Sequence, residues 1–153
     1  MADCVGLSSL AGLSGCQKLS FLVIRGCSAL RSLRELAACR SLGTLEAGNC
    51  PRLQDLAGLA NLAHLNTLSL DNGPGVRDIQ PLGGAPALQS LSLRSCHRLS
   101  DLLGVQDLPA LEYLNAKGCD MLTQIRPSCH VGSCGCAHWP ALVFRTYGYW
   151  WDA

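Results

Sequence analysis

Leucine and its apolar substitutes recur along this chain at a fixed interval of 23 residues. The first column of the pattern contains Leu19, Leu42, Leu65, Leu88 and Leu111. The second column contains Leu22, Leu45, Leu68, Leu91 and Leu114. Six further columns keep the same register from position 7 to position 125. Columns in phase over this length indicate a repeat protein, because one unit cannot bury its own leucines and must stack on its neighbours.

Each unit reads L-x-x-L-x-L-x-x-C followed by apolar residues at every third position. The L-x-L core has a period of two, which predicts a short strand with one buried face. These strands should centre on 22–24, 45–47, 68–70, 91–93 and 114–116, in one parallel sheet. The period of three after the cysteine predicts tight 3₁₀ or irregular turns. Four prolines in this half argue against a long α-helix: Pro81, Pro86, Pro109 and Pro127.

This pattern resembles the leucine-rich-repeat family over about residues 4–126. The unit length is similar to the short class typified by the protein phosphatase 1 regulatory subunit, and the cysteine resembles a variant common in protists. The stretch 39–50 also resembles the longer cysteine-containing repeats of ubiquitin-ligase adaptors. The resemblance implies an α/β solenoid, a horseshoe with one parallel sheet on the concave face and short turns on the convex face. It also implies a protein-binding platform, with adaptor-type substrate recognition as an alternative.

Two regions follow from the repeat: a solenoid at 1–126, with one partial unit and about five repeats, and a tail at 127–153. The register fails after Ile125, and the tail is rich in aromatic residues, including Trp150 and Trp151. Large aromatics would cap the last repeat or anchor a partner. The first unit begins within a repeat. We therefore expect residues 4–25 to be covered by a partner or by upstream sequence.

The ten cysteines fall into two groups. One column, the cysteine ladder, contains Cys4, Cys27, Cys50, Cys96 and Cys119; Cys16 and Cys39 occupy another inward column. We expect these thiols to be buried and unpaired, which favours an intracellular, reducing compartment. The tail group supplies a weak candidate zinc site, whose ligands would be Cys129, Cys134, Cys136 and His138. A loop with one disulfide is the alternative for these tail residues.

Residues between the buried leucines of each strand should face outward on the concave sheet. The candidate partner-binding residues there are Phe21, Val23, Arg25, Glu46, Asp71, Arg94, Tyr113, Asn115 and Lys117. Exposed apolar and aromatic groups on a sheet suggest contact with another molecule. The alternative for the small serines and threonines of the middle strands is a solvated surface.

Composition narrows the functional classes. The net charge is +1 and charged residues make up 15% of the chain, so the sequence predicts no nucleic-acid partner. The sequence contains no stretch of about 18 apolar residues, so we expect no membrane insertion. The first residues lack the pattern of a secretory signal. Phosphate-binding loops and catalytic constellations are absent from the sequence, and His64 and His97 are interpreted as solvated. We expect a protein-interaction module or a structural subunit and not an enzyme; the alternative is a small zinc-binding or redox protein.

Overall fold

The computed structural model describes residues 4–122, in which short 3₁₀ helices alternate with short strands. The 3₁₀ helices are η1 (Ala11–Leu13), η2 (Arg34–Ala38), η3 (Ala57–Leu59), η4 (Gln80–Gly84) and η5 (Val105–Asp107). The strands are β1 (Phe21–Val23), β2 (Thr44–Glu46), β3 (Thr67–Ser69), β4 (Ser90–Ser92) and β5 (Tyr113–Asn115). Each unit therefore supplies one strand and one 3₁₀ turn, as the change of period within the repeat predicts.

The five strands form one open parallel sheet in chain order. Its register pairs Leu22 with Leu45 and Leu45 with Leu68, one repeat apart at every step. The predicted parallel sheet is confirmed, although each strand begins one residue earlier than expected. Hydrogen bonding continues past the strand end, since the Ile24 N–H donates to the Glu46 carbonyl oxygen at 2.8 Å.

The core lies between the sheet and the 3₁₀ turns and consists of the repeating apolar columns. Leu42, Leu65 and Leu88, in one column, are 0% exposed. Within residues 4–122, no polar or charged side chain is buried. Each buried leucine stabilises the fold by roughly 1.5–3 kcal/mol. Stacking of identical columns, and not any single contact, therefore holds the solenoid together.

The first unit is less well covered than the others. Leu7, Leu13 and Leu19 are half-buried, and Val5 is exposed. The prediction that Cys16 lies in the core is wrong, because this thiol is exposed, whereas Cys39 in the same column is buried. No described repeat packs outside Cys16, which explains the difference. The expectation that a partner or upstream sequence covers this end stays a prediction.

One position at the end of each strand has a left-handed backbone in every unit. These residues are Gly26 (φ 71°), Asn49 (φ 57°), Asn72 (φ 54°), Ser95 (φ 55°) and Gly118 (φ 76°). Glycine adopts this conformation without a steric penalty, and asparagine tolerates it. Glycine, asparagine and serine at this 23-residue spacing are a turn signal in the sequence that was not used for the predictions above.

A second missed column closes the turns before the 3₁₀ helices. Its members are Ser9, Ser32, Asp55, Asp78 and Asp101. Each side-chain oxygen accepts the backbone N–H two residues later, at 2.7–3.1 Å. This is the local bond that short oxygen-bearing side chains make in turns. The bond from the Ala57 N–H, with smaller help from Ser32 and Arg34, lowers the pKa of Asp55.

Candidate partner-binding surface

The concave face presents three columns of outward residues, because side chains alternate sides along each strand. The first column is Phe21, Thr44, Thr67, Ser90 and Tyr113. The second is Val23, Glu46, Ser69, Ser92 and Asn115. The third, just past the strands, is Arg25, Gly48, Asp71, Arg94 and Lys117. The nine residues predicted on this face thus lie on one continuous surface.

Aromatic side chains mark the two ends of this surface. Phe21 on β1 is 57% exposed and Tyr113 on β5 is 43% exposed. Val23 is half-buried and so less exposed than the sequence analysis expected. Beside Tyr113, the Asn115 Nδ2 donates to the tyrosine hydroxyl at 3.2 Å, which orients the ring's polar end. The three strands between carry serine and threonine in the first column, so the middle of the face is small and polar.

Most of the charged residues described on the concave face contact polar groups of a neighbouring strand. The Arg25 guanidinium and the Glu46 carboxylate form an ion pair at 2.7 Å. Asp71 Oδ1 accepts a hydrogen bond from the Ser92 hydroxyl at 2.6 Å and another from the Arg94 N–H at 2.9 Å. The Arg94 side chain is exposed, and no carboxylate of residues 4–122 lies within ion-pair distance of it. Arg94 therefore presents a cation at the rim of the face.

Several predicted site residues lie outside the described part of the chain. They are Trp150 and Trp151 of the candidate docking patch, and Cys129, Cys134, Cys136 and His138 of the candidate zinc site. These assignments stay predictions, as does the tail region at 127–153. Within residues 4–122, histidine, cysteine and carboxylate side chains nowhere gather in a group of three suited to a metal ion.

The cysteine ladder links each repeat to the one before it. The thiols of Cys50, Cys96 and Cys119 each donate to a carbonyl oxygen of the preceding repeat, at 3.2, 3.4 and 3.0 Å respectively. Cys27, Cys50, Cys96 and Cys119 are buried free thiols, which confirms that prediction. Burial raises the pKa of Cys27 and Cys50. Gly73 replaces cysteine in the middle of the ladder and divides it into two groups.

One pairing in the turns was not anticipated. His97 is exposed, as expected, but its Nδ1 lies 2.7 Å from the Asp120 Oδ2. The sequence predicted only a solvated histidine here and no acidic partner for it. The two residues are one repeat apart, so stacking places them side by side at the edge that carries the cysteine ladder.

The chain was compared with protein families, curated sequences and solved structures. No protein-family model and no curated protein sequence matches the chain. Among solved structures, the internalin InlF of Listeria monocytogenes strain 4b F2365 is 28% identical, with a TM-score of 0.67 over 73% of this chain and 32% of the internalin. The leucine-rich-repeat domain of the type III effector XopL is 24% identical, with a TM-score of 0.62 over 76% of this chain and 51% of that domain.

A third similar structure is the Leptospira interrogans leucine-rich-repeat protein LIC12759, at 23% identity and a TM-score of 0.59. This match covers 73% of the present chain and 29% of the Leptospira chain. The chain thus spans from less than a third to about half of the structures that it resembles. With its parallel sheet, its 3₁₀ turns and its unbroken leucine columns, it is a leucine-rich-repeat protein. The resemblance to the short 23-residue class stays a prediction.

No helix among residues 4–122 has the length and apolar content needed to cross a bilayer. The intracellular, reducing compartment stays a prediction. The same holds for the expectation that the protein is not an enzyme and does not bind nucleic acid.

Proposed function

We propose that this protein is an interaction module that binds a protein partner through its concave sheet. One observation carries the proposal: the inward columns stay almost entirely apolar, whereas the outward columns change in character from repeat to repeat and place exposed Phe21 and Tyr113 at the two ends. Apolar inward residues are what stacking requires. Stacking does not require exposed aromatics, but they are effective anchors in protein interfaces.

The spacing of these anchors suits an elongated epitope. Four steps separate β1 from β5, and neighbouring strands lie about 4.8 Å apart, so the two aromatics are roughly 19 Å apart along the sheet. Small hydroxyl side chains between them leave room for a partner to approach the backbone. Arg94 adds a cation at the rim, which would favour a partner with a carboxylate opposite it.

The test compares full-length variants in quantitative affinity capture from lysate of the source cells. Tyr113→Ser removes one concave anchor, and Leu103→Ser is its matched control, because Leu103 lies in the turns and is 44% exposed against 43% for Tyr113. We expect the captured partner to lose at least about tenfold in affinity with Tyr113→Ser, the effect of one strong anchor. Leu103→Ser should bind like the unchanged protein.

Arg94→Glu provides a second, electrostatic reading of the same face. This substitution should lower the affinity for the same partner and make the remaining binding less sensitive to salt concentration. If Leu103→Ser abolishes capture while Tyr113→Ser and Arg94→Glu do not, the partner binds the convex side and the proposal is wrong. All three substituted side chains are exposed, so the substitutions should leave the fold unchanged. Circular dichroism of each variant checks this.

A further inference from the structure

The C-terminal group of the cysteine ladder differs from the N-terminal group. Cys119 is 8% exposed, whereas Cys27, Cys50 and Cys96 are 0% exposed. The exposed His97 lies beside the Cys96–Cys119 pair and contacts Asp120. In the N-terminal group, no histidine occupies the position equivalent to His97, where Ser28 and Pro51 stand.

Repeat stacking brings the two C-terminal sulfurs within reach of each other. The strands that precede them pair Leu91 with Leu114, so Cys96 and Cys119 are equivalent residues one step apart. At the preceding step of the ladder, a Cβ on Gly73 would lie 3.8 Å from the Cys96 Sγ, so ladder side chains of neighbouring repeats are in contact. Neighbouring strands lie about 4.8 Å apart, within the roughly 4.4–6.8 Å that separates the two Cα atoms of a disulfide, so a small movement is enough to join the sulfurs.

From this placement, we infer that Cys96 and Cys119 form a redox site, which a hydroperoxide oxidises to a disulfide between neighbouring repeats. The Cys119 thiolate attacks one peroxide oxygen, the O–O bond breaks, and hydroxide leaves. The resulting sulfenic acid is attacked by the Cys96 sulfur, an S–S bond forms, and water leaves. Two thiols lose two electrons in total, and hydrogen peroxide is reduced to two molecules of water.

The surroundings of Cys119 favour its role as the attacking sulfur. Contacts with the Cys96 side chain and backbone, together with the nearby His97, outweigh burial and the Asp120 carboxylate, and they lower the pKa of Cys119 to about 7. The contact with the Cys119 thiol, and then burial, raise the pKa of Cys96.

The consequence would fall on the concave face. Strand β5 carries Tyr113 and Asn115, and the turn after it carries Cys119. A disulfide to Cys96 would tie this last described repeat covalently to the preceding one. The inference does not rest on the proposed function, since the oxidation can be measured without any partner.

The experiment treats the full chain with hydrogen peroxide and then cleaves it on the amino side of aspartate. This cleavage places Cys96 alone in fragment 78–100 and Cys119 alone in fragment 107–119. We expect these two fragments to appear disulfide-linked in mass spectrometry. Cys119 should be consumed roughly tenfold or more faster than Cys50, because a larger thiolate fraction outweighs the lower nucleophilicity of that thiolate.

Three variants define the order of the steps. Cys96→Ser should yield a sulfenic acid on fragment 107–119, trapped by dimedone, and no link. Cys119→Ser should give neither product. Cys50→Ser, the matched control in the N-terminal group, should leave the link unchanged. The inference is overturned if the unchanged protein shows no link between the two fragments, or links 107–119 mainly to fragment 120–151, which holds the tail cysteines. This measurement on the unsubstituted protein tests the inference even if one of the variants fails to fold.

Discussion

The convex turns and the concave strands come from the same repeat, yet they are packed in different ways. In the turns, Gly58 of η3 lies so close to the previous repeat that a Cβ would overlap the carbonyl oxygen of Leu33. Directly before β2, a Cβ on Gly43 would lie 3.5 Å from the nearest atom, the carbonyl oxygen of Ser20, which is ordinary contact. Turns therefore stack backbone against backbone, whereas strands stand apart at the fixed sheet spacing. Sequence variation should be tolerated on the concave side and restricted on the convex side.

The strongest test of this difference compares two glycine-to-alanine substitutions. Gly58→Ala should lower the free energy of unfolding by about 3 kcal/mol, because a backbone carbonyl must move to admit the methyl group. Gly43→Ala, the matched control, should change it by less than about 0.5 kcal/mol. Urea denaturation of both variants measures the effect. Equal losses would show that the turns are not the more tightly stacked side.

A smaller effect is expected from the side-chain bonds of the two regions. Asp55→Ala removes the bond to the Ala57 N–H in a convex turn and should cost about 1 kcal/mol. Glu46→Gln removes the ion pair with Arg25 on the concave face and should cost less than about 0.5 kcal/mol, since the pair is exposed to solvent. Chemical denaturation at neutral pH distinguishes them, and a larger loss for Glu46→Gln would contradict the comparison.

Acid should act on the same turn. The folded-state pKa of Asp55 lies below its ordinary value of 3.8. Its stabilisation is therefore complete above that value and is lost as the pH falls through the lowered one. Between neutral pH and about pH 2, Asp55→Ala should thus lose less stability than the unchanged protein. A thermal melt at each pH measures this, and identical acid losses would show that Asp55 does not contribute.

The junction between strand and turn should give a gain in stability. Ser95 has a φ of 55°, which glycine adopts without the steric penalty that a Cβ meets. Ser95→Gly should raise the free energy of unfolding by about 0.5 kcal/mol, after the greater entropy loss of glycine. Asn49→Gly is the control and should change little, because asparagine already tolerates this conformation. A loss of stability in Ser95→Gly would mean that the hydroxyl makes a compensating contact.

The smallest effect is expected on the concave face itself. Thr67→Ala, on β3, should change the free energy of unfolding by less than about 0.5 kcal/mol, because this half-buried side chain faces away from the leucine core. The change is measured by urea denaturation. A loss above about 1 kcal/mol would show that the concave hydroxyls support the sheet and are not free to vary with the partner.

The sequence alone determined the inward half of this molecule. Residues that recur every 23 positions pack against their equivalents in the next repeat. The buried leucines, the cysteine ladder and the parallel order of the strands could therefore be predicted. Two more columns were open to the same reasoning and were missed: the left-handed residues such as Asn72, and the turn-closing residues such as Asp78. Both were signalled by residue type at the repeat spacing.

Only the tertiary structure decided how the outward residues are used. Periodicity predicts that Arg25 and Glu46 face outward, but their ion pair depends on the conformations of two long side chains. The exposure of Cys16 depends on whether another repeat covers it. The concave columns were predicted, whereas the half-burial of Val23 and the contact between His97 and Asp120 were not. The reason is physical: burial of a repeating leucine follows from stacking alone, whereas the pairing and exposure of a surface residue depend on its particular neighbours.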